Sequence, residues 1–151
     1  MQPMQILVLG PEGPGRAELA QTLTRLGYVV MSADARGAAE PPRSGDVVML
    51  DLRGDHEGWS GVVERLRTDA RPVLVVSERP RRLVRQLAGR PAGTMVMSGA
   101  ESEAGYRVAL SVCEALRRSA RARAEAAGGT RVRVATPCAR RLRPRAAGGG
   151  W

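Results

Sequence analysis

The sequence predicts an α/β domain built on a five-stranded parallel sheet covered on both faces. Two observations carry this. Short continuous apolar runs recur at Ile6–Leu9, Tyr28–Met31, Val47–Leu52, Val73–Val76 and Met95–Met97. Runs of that kind, without polar alternation, are the signature of strands buried on both sides. Between the runs lie segments with helical spacing, and strand alternating with helix implies parallel pairing.

Each helix has its own stripe. Leu19, Leu23 and Leu26 share a face, as do Val62, Val63 and Leu66. Leu83, Val84 and Leu87 form a third stripe, and Val108, Ala109, Val112 and Leu116 a fourth. The unit at 35–45 is the weak one, because Pro41 and Pro42 stop any helix there and leave it short or frayed. The last helix is expected from about Ser102, its N-cap, to about Ala126, with Gly128 and Gly129 ending it. These elements place a domain at 1–126 and a basic tail at 127–151. The tail is rich in Arg, Pro, Ala and Gly, a composition that buries too little to order itself.

Composition narrows the function. The chain has 151 residues, 43% hydrophobic, with no Phe, so aliphatic side chains must fill the core. All 24 basic residues are arginine, which excludes any chemistry that needs a lysine ammonium. The net charge of +9 comes from the tail: residues 1–116 hold 14 Arg against 14 acids, and residues 117–151 hold ten Arg against Glu125 alone. No apolar stretch is long enough to span a membrane. The chain starts directly in a strand-like run, with no basic and apolar leader, so a cytoplasmic protein is expected.

Cys113 and Cys138 lack metal-ligand spacing and read as a buried small hydrophobe and a tail thiol. His56, the only histidine, sits in the polar loop RGDHEG beside Asp55 and Glu57. Residues so close in sequence rarely converge on one ion, so a solvated loop is expected. One histidine also leaves no Ser–His or Cys–His catalytic set, and the chain does not read as an enzyme.

The order and spacing of these elements resemble the receiver domain of two-component response regulators over roughly residues 4–118. DVVMLDLRG, 46–54, is similar to the third strand of that family and ends in Asp51, at the phosphoacceptor position. PVLVVSE, 72–78, is similar to the fourth strand, with Ser77 where the family has a Ser or Thr that contacts the phosphoryl group. LTRLGYVV, 23–30, and GWSGVVERLR, 58–67, resemble further segments.

The resemblance implies a flavodoxin-like three-layer sandwich with strand order 2-1-3-4-5. It implies Asp51 as candidate phosphoacceptor, Ser77 as a hydrogen-bond donor to the phosphoryl group, and Glu12 with Asp51 as weak candidate ligands for Mg²⁺. It also implies a histidine kinase or other signalling protein as partner. A homodimer is implied too, through the helix at 79–90, the fifth strand and the last helix.

The chain departs from the family's pattern at two places. Gly10 and Pro11 stand where the family has an acidic pair, and Ser98 where it has a lysine. Phosphoryl transfer depends on positioning and charge neutralisation, so these losses predict a degenerate receiver with weak or no phosphorylation and Mg²⁺ held weakly or not at all. Its role would then be regulation by protein–protein contact.

A second template fits the same loop. Gly10, Gly15, Arg16 and Ala17 take the spacing of a phosphate-binding G-x-x-x-x-G-K-[ST] loop, so the alternative is a degenerate P-loop-like nucleotide- or anion-binding α/β domain. Arg16 replaces the lysine, Ala17 the Mg²⁺-binding hydroxyl, and Pro11 and Pro14 remove N–H donors. The Arg-rich tail lacks interleaved aromatics, so nucleic-acid contact is expected only as a non-specific, salt-dependent attraction.

Overall fold

The computed structural model describes residues 2–34, 41–53, 57–90, 93–98 and 102–129. Asp55, His56, Cys138, residues 35–40 of the weak unit and 130–151 of the tail lie outside them.

Five strands form one parallel sheet: β1 (Gln5–Leu9), β2 (Val29–Ala33), β3 (Val47–Asp51), β4 (Val73–Ser77) and β5 (Thr94–Ser98). Their order is β2-β1-β3-β4-β5, as expected. Four helices are present among the described residues: α1 (Pro14–Arg25), α2 (Ser60–Leu66), α3 (Pro80–Leu87) and α4 (Glu103–Gly129). A 3₁₀ turn, Glu57–Trp59, leads into α2. Residues 41–46 between β2 and β3 are not helical, in keeping with the two prolines.

Strands β3 and β4 are buried at every position, which is why they read as unbroken apolar runs. Alternate residues feed two cores. Ile6, Val8, Met49, Leu74 and Val76 pack with Leu19 and Leu23 of α1 and with Tyr106, Leu110 and Cys113 of α4. Leu7, Leu9, Val48, Leu50, Val73 and Val75 pack with Val62, Val63 and Leu66 of α2 and with Leu83 and Leu87 of α3. The result is three layers, helices on either side of the sheet.

Two expected stripes are corrected. Val84 is 50% exposed, so α3 buries only Leu83 and Leu87. On α4, Val108 and Val112 are 65% and 41% exposed, while Tyr106, Ala109, Leu110 and Cys113 are buried. The segment YRVALSVC is apolar around most of the helix, and the sheet selects the face that carries the larger Tyr106 and Leu110. Ser102 caps α4 as expected, its Oγ accepting the Gly105 N–H at 3.3 Å. The helix runs on to Gly129, so 127–129 of the tail extend it. No helix among the described residues is long and apolar enough to cross a membrane.

Candidate functional site

In a parallel α/β sheet, ligand chemistry gathers at the carboxyl ends of the strands. Here that end presents Gly10 after β1, Asp51 closing β3 and Ser77 closing β4. Asp51 pairs in register with Val76, so Asp51 and Ser77 sit on adjacent strand ends. The sheet therefore brings together the two residues expected to act on a phosphoryl group.

Asp51 is 4% exposed, and its carboxylate is fully engaged. Arg53 Nε donates to Oδ1 at 2.8 Å and Arg53 Nη2 to Oδ2 at 2.9 Å. The Arg53 backbone N–H also donates to Oδ1 at 3.2 Å, closing a local turn of the kind Asp favours. The same Nη2 reaches the Gly15 carbonyl at 3.0 Å and ties β3 to the start of α1. The hydrogen bond to Asp51 holds the guanidinium pKa above its ordinary value, against the opposing effect of burial.

Arg16 is turned inward as well, donating to the Gly10 carbonyl at 3.0 Å. It therefore closes the loop on itself, in the position the P-loop template gives to a phosphate-binding cation. Gly10 lies hard against β3: a Cβ there would stand 3.1 Å from the Asp51 Cβ and 3.2 Å from its carbonyl oxygen. A side chain at 10 would require β3 to give way by a few tenths of an ångström at Asp51.

Ser77 is fully buried, and its Oγ accepts the Arg79 N–H at 3.0 Å, organising the turn into α3. Glu12 is exposed and lines a depression of about 380 Å³ with Gly13, Arg16, Ala17 and Ser32, a lining that does not include Asp51.

The donor set does not suit Mg²⁺. A hard cation needs several oxygen ligands with free lone pairs. Both Asp51 oxygens accept from a guanidinium, whose charge repels a second cation.

Arg53 was not singled out by sequence reasoning, although the signal was there. The pattern Asp-x-Arg occurs at 34–36, 51–53 and 69–71, and the two copies that lie wholly within the described residues, 51–53 and 69–71, adopt the same geometry. Arg71 donates from Nε and Nη2 to Asp69 at 2.9 and 2.7 Å, its backbone N–H donates to Oδ1 at 2.9 Å, and Nη1 reaches the Ser44 carbonyl at 2.6 Å. Two other residues missed by the sequence reading are Arg90, 8% exposed among backbone carbonyls, and Trp59, fully buried with its Nε1 lacking a partner among the described residues.

No family model matches the chain, and no curated protein matches it. A solved structure described as the yeast Spc42 trimeric coiled coil, amino acids 181–211, fused to another structure is similar in fold. It has a TM-score of 0.59 and 16% identity over 83% of this chain and 87% of that one. At that identity the likeness concerns the fold alone.

Proposed function

We propose that the chain is an atypical receiver-like signalling domain of flavodoxin-like fold. It acts in the cytoplasm within a two-component or phosphorelay system and regulates by protein–protein contact, with aspartyl phosphorylation weak or absent. A single observation supports this reading most. A buried aspartate closes the central strand β3, and Arg53 takes both of its oxygens. In this reading a guanidinium neutralises the carboxylate where the family uses a metal ion, and the strand end stays in one state.

The partner-binding face is assigned to α3, β5 and α4. Val84, Val108 and Val112 are exposed there, and β5 is an edge strand.

Incubation of the full chain with acetyl phosphate and Mg²⁺, followed by intact mass, tests the reading. The wild type is expected to remain unmodified. Arg53→Ala frees the carboxylate, and any single phosphoryl mass it gains should vanish in Asp51→Ala/Arg53→Ala. Stoichiometric labelling of the wild type at Asp51 overturns the degenerate assignment.

A further inference from the structure

The turn Glu57–Trp59, helix α2 and helix α3 enclose a cleft of about 260 Å³ on the face of the sheet opposite α1 and α4. Its wall is apolar, made by Leu52, Trp59, Val63 and Leu83, all buried residues. Its rim is cationic: Arg79 and Arg82 line it, and both are exposed. No ion pair among the described residues involves either guanidinium.

The wall also holds a polar anomaly. Trp59 is fully buried, yet its indole Nε1, itself out of contact with solvent, has no hydrogen-bond partner among the described residues. An apolar cavity with a few converging polar groups is the usual form of a small-molecule site. At about 30 Å³ per water-sized unit, this one holds roughly nine such units.

We propose that this cleft binds a small carboxylic acid with an apolar body. The body lies on Leu52, Trp59, Val63 and Leu83. The carboxylate meets Arg79 and Arg82, whose planar forks match a carboxylate in two-point geometry. The site differs from Asp51 but adjoins it in sequence: Leu52 follows Asp51, and the Arg79 N–H bonds Ser77 Oγ. A ligand that holds Arg79 therefore bears on the end of β4.

Trp59 and Trp151 are the two tryptophans of the chain, so Trp151→Phe leaves Trp59 as the sole fluorescent reporter. The full-length Trp151→Phe protein is titrated with octanoate, octylamine and acetate, following tryptophan emission and heat by calorimetry. Octanoate is expected to bind saturably at one site and shift the Trp59 emission. Octylamine, with the same body and opposite charge, and acetate, with the head alone, should each bind at least about tenfold more weakly. Arg79→Ala/Arg82→Ala should weaken octanoate by roughly tenfold or more with an unchanged melting temperature, since both side chains are exposed. The proposal is overturned if octanoate fails to saturate, if octylamine or acetate matches it, or if the double variant binds it as the wild type does. These readouts do not depend on phosphorylation, so the receiver reading stands or falls separately.

Discussion

Asp51 and Asp69 show how one local pattern does two jobs. In each, an aspartate accepts the N–H of the residue two ahead, and an arginine at that residue closes on the same carboxylate. Asp51 faces the site. Asp69 belongs to the loop that enters β4 at the opposite end of the sheet. Burial works to raise the Asp69 pKa, but the side-chain and backbone hydrogen bonds from Arg71 outweigh it, and the net direction is down. A carboxylate with a lowered folded-state pKa stabilises the fold above its unfolded value and loses that contribution as pH falls through the folded value. Asp69→Asn is therefore expected to cost about 2 kcal/mol near neutrality in urea unfolding, a gap that narrows progressively below about pH 4. Arg53→Ala is expected to cost about 2–3 kcal/mol by the same measurement, because it strands a buried carboxylate that keeps only its backbone donor.

Cys113 follows a different rule. Its fully buried thiol is pushed up to about 11 by desolvation. The neutral thiol is thus favoured in the fold, and in a Cys138→Ser background Cys113 should react with thiol reagents only as fast as the protein opens. Reaction near the rate of the denatured chain would contradict the burial.

At the scale of elements, α4 shows how a helix can be apolar around most of its circumference and still be specified. The sheet accepts Tyr106, Ala109, Leu110 and Cys113, leaving Val108 and Val112 outside. Leu110→Ala should therefore cost about 2–5 kcal/mol. Val108→Asp should change stability by no more than about 0.5 kcal/mol. If the α3–β5–α4 face is where partners or a second copy dock, Val108→Asp/Val112→Asp should also abolish that association by analytical ultracentrifugation while leaving the melting temperature intact. The reverse stability order would mean that α4 sits on the sheet in another register. Beyond Ala120 the helix is solvated on every side through Gly128, its arginines partly balanced by pairs such as Arg121–Glu125 at 3.0 Å. That explains why the sequence shows no apolar stripe there.

In the whole molecule, arginines organise both ends of the sheet. At the carboxyl end Arg16 closes the loop after β1 on itself, and Arg53 ties β3 to the start of α1. At the amino end Arg90 gathers the entrances of β4 and β5. It donates to the carbonyls of Leu66, Asp69 and Arg71 at 2.6, 2.9 and 2.7 Å, and to the Gly93 carbonyl and Thr94 Oγ1. Burial lowers its pKa, an effect the Asp69 charge opposes. A lysine has three donors on a flexible stem and cannot serve this set, so Arg90→Lys should cost about 2–3 kcal/mol by denaturant unfolding. A near-neutral result would show that water replaces the guanidinium at those carbonyls.

The strands were legible because burial on both faces writes itself as unbroken Val, Leu and Met, and each strand was read to within two residues of its observed ends. The positions of Asp51 and Ser77 were legible for the same reason: a polar residue that ends such a run stands at a strand end. The stripe on α4 was not legible, since local periodicity could not choose between two apolar faces. Nor were the distant carbonyls that Arg53, Arg71 and Arg90 meet. An arginine's sequence position says that it carries a charge. Which distant carbonyl or carboxylate it meets depends on segments brought together by the fold, 38 residues apart for Arg53 and Gly15 and 78 for Arg25 and Glu103. The sequence by itself determined the parallel sheet and the absence of lysine from the chain, because patterning and residue type are local properties. Only the tertiary structure decided that Arg53 reaches the Gly15 carbonyl and that a cleft stands between α2 and α3, because both depend on how distant segments converge.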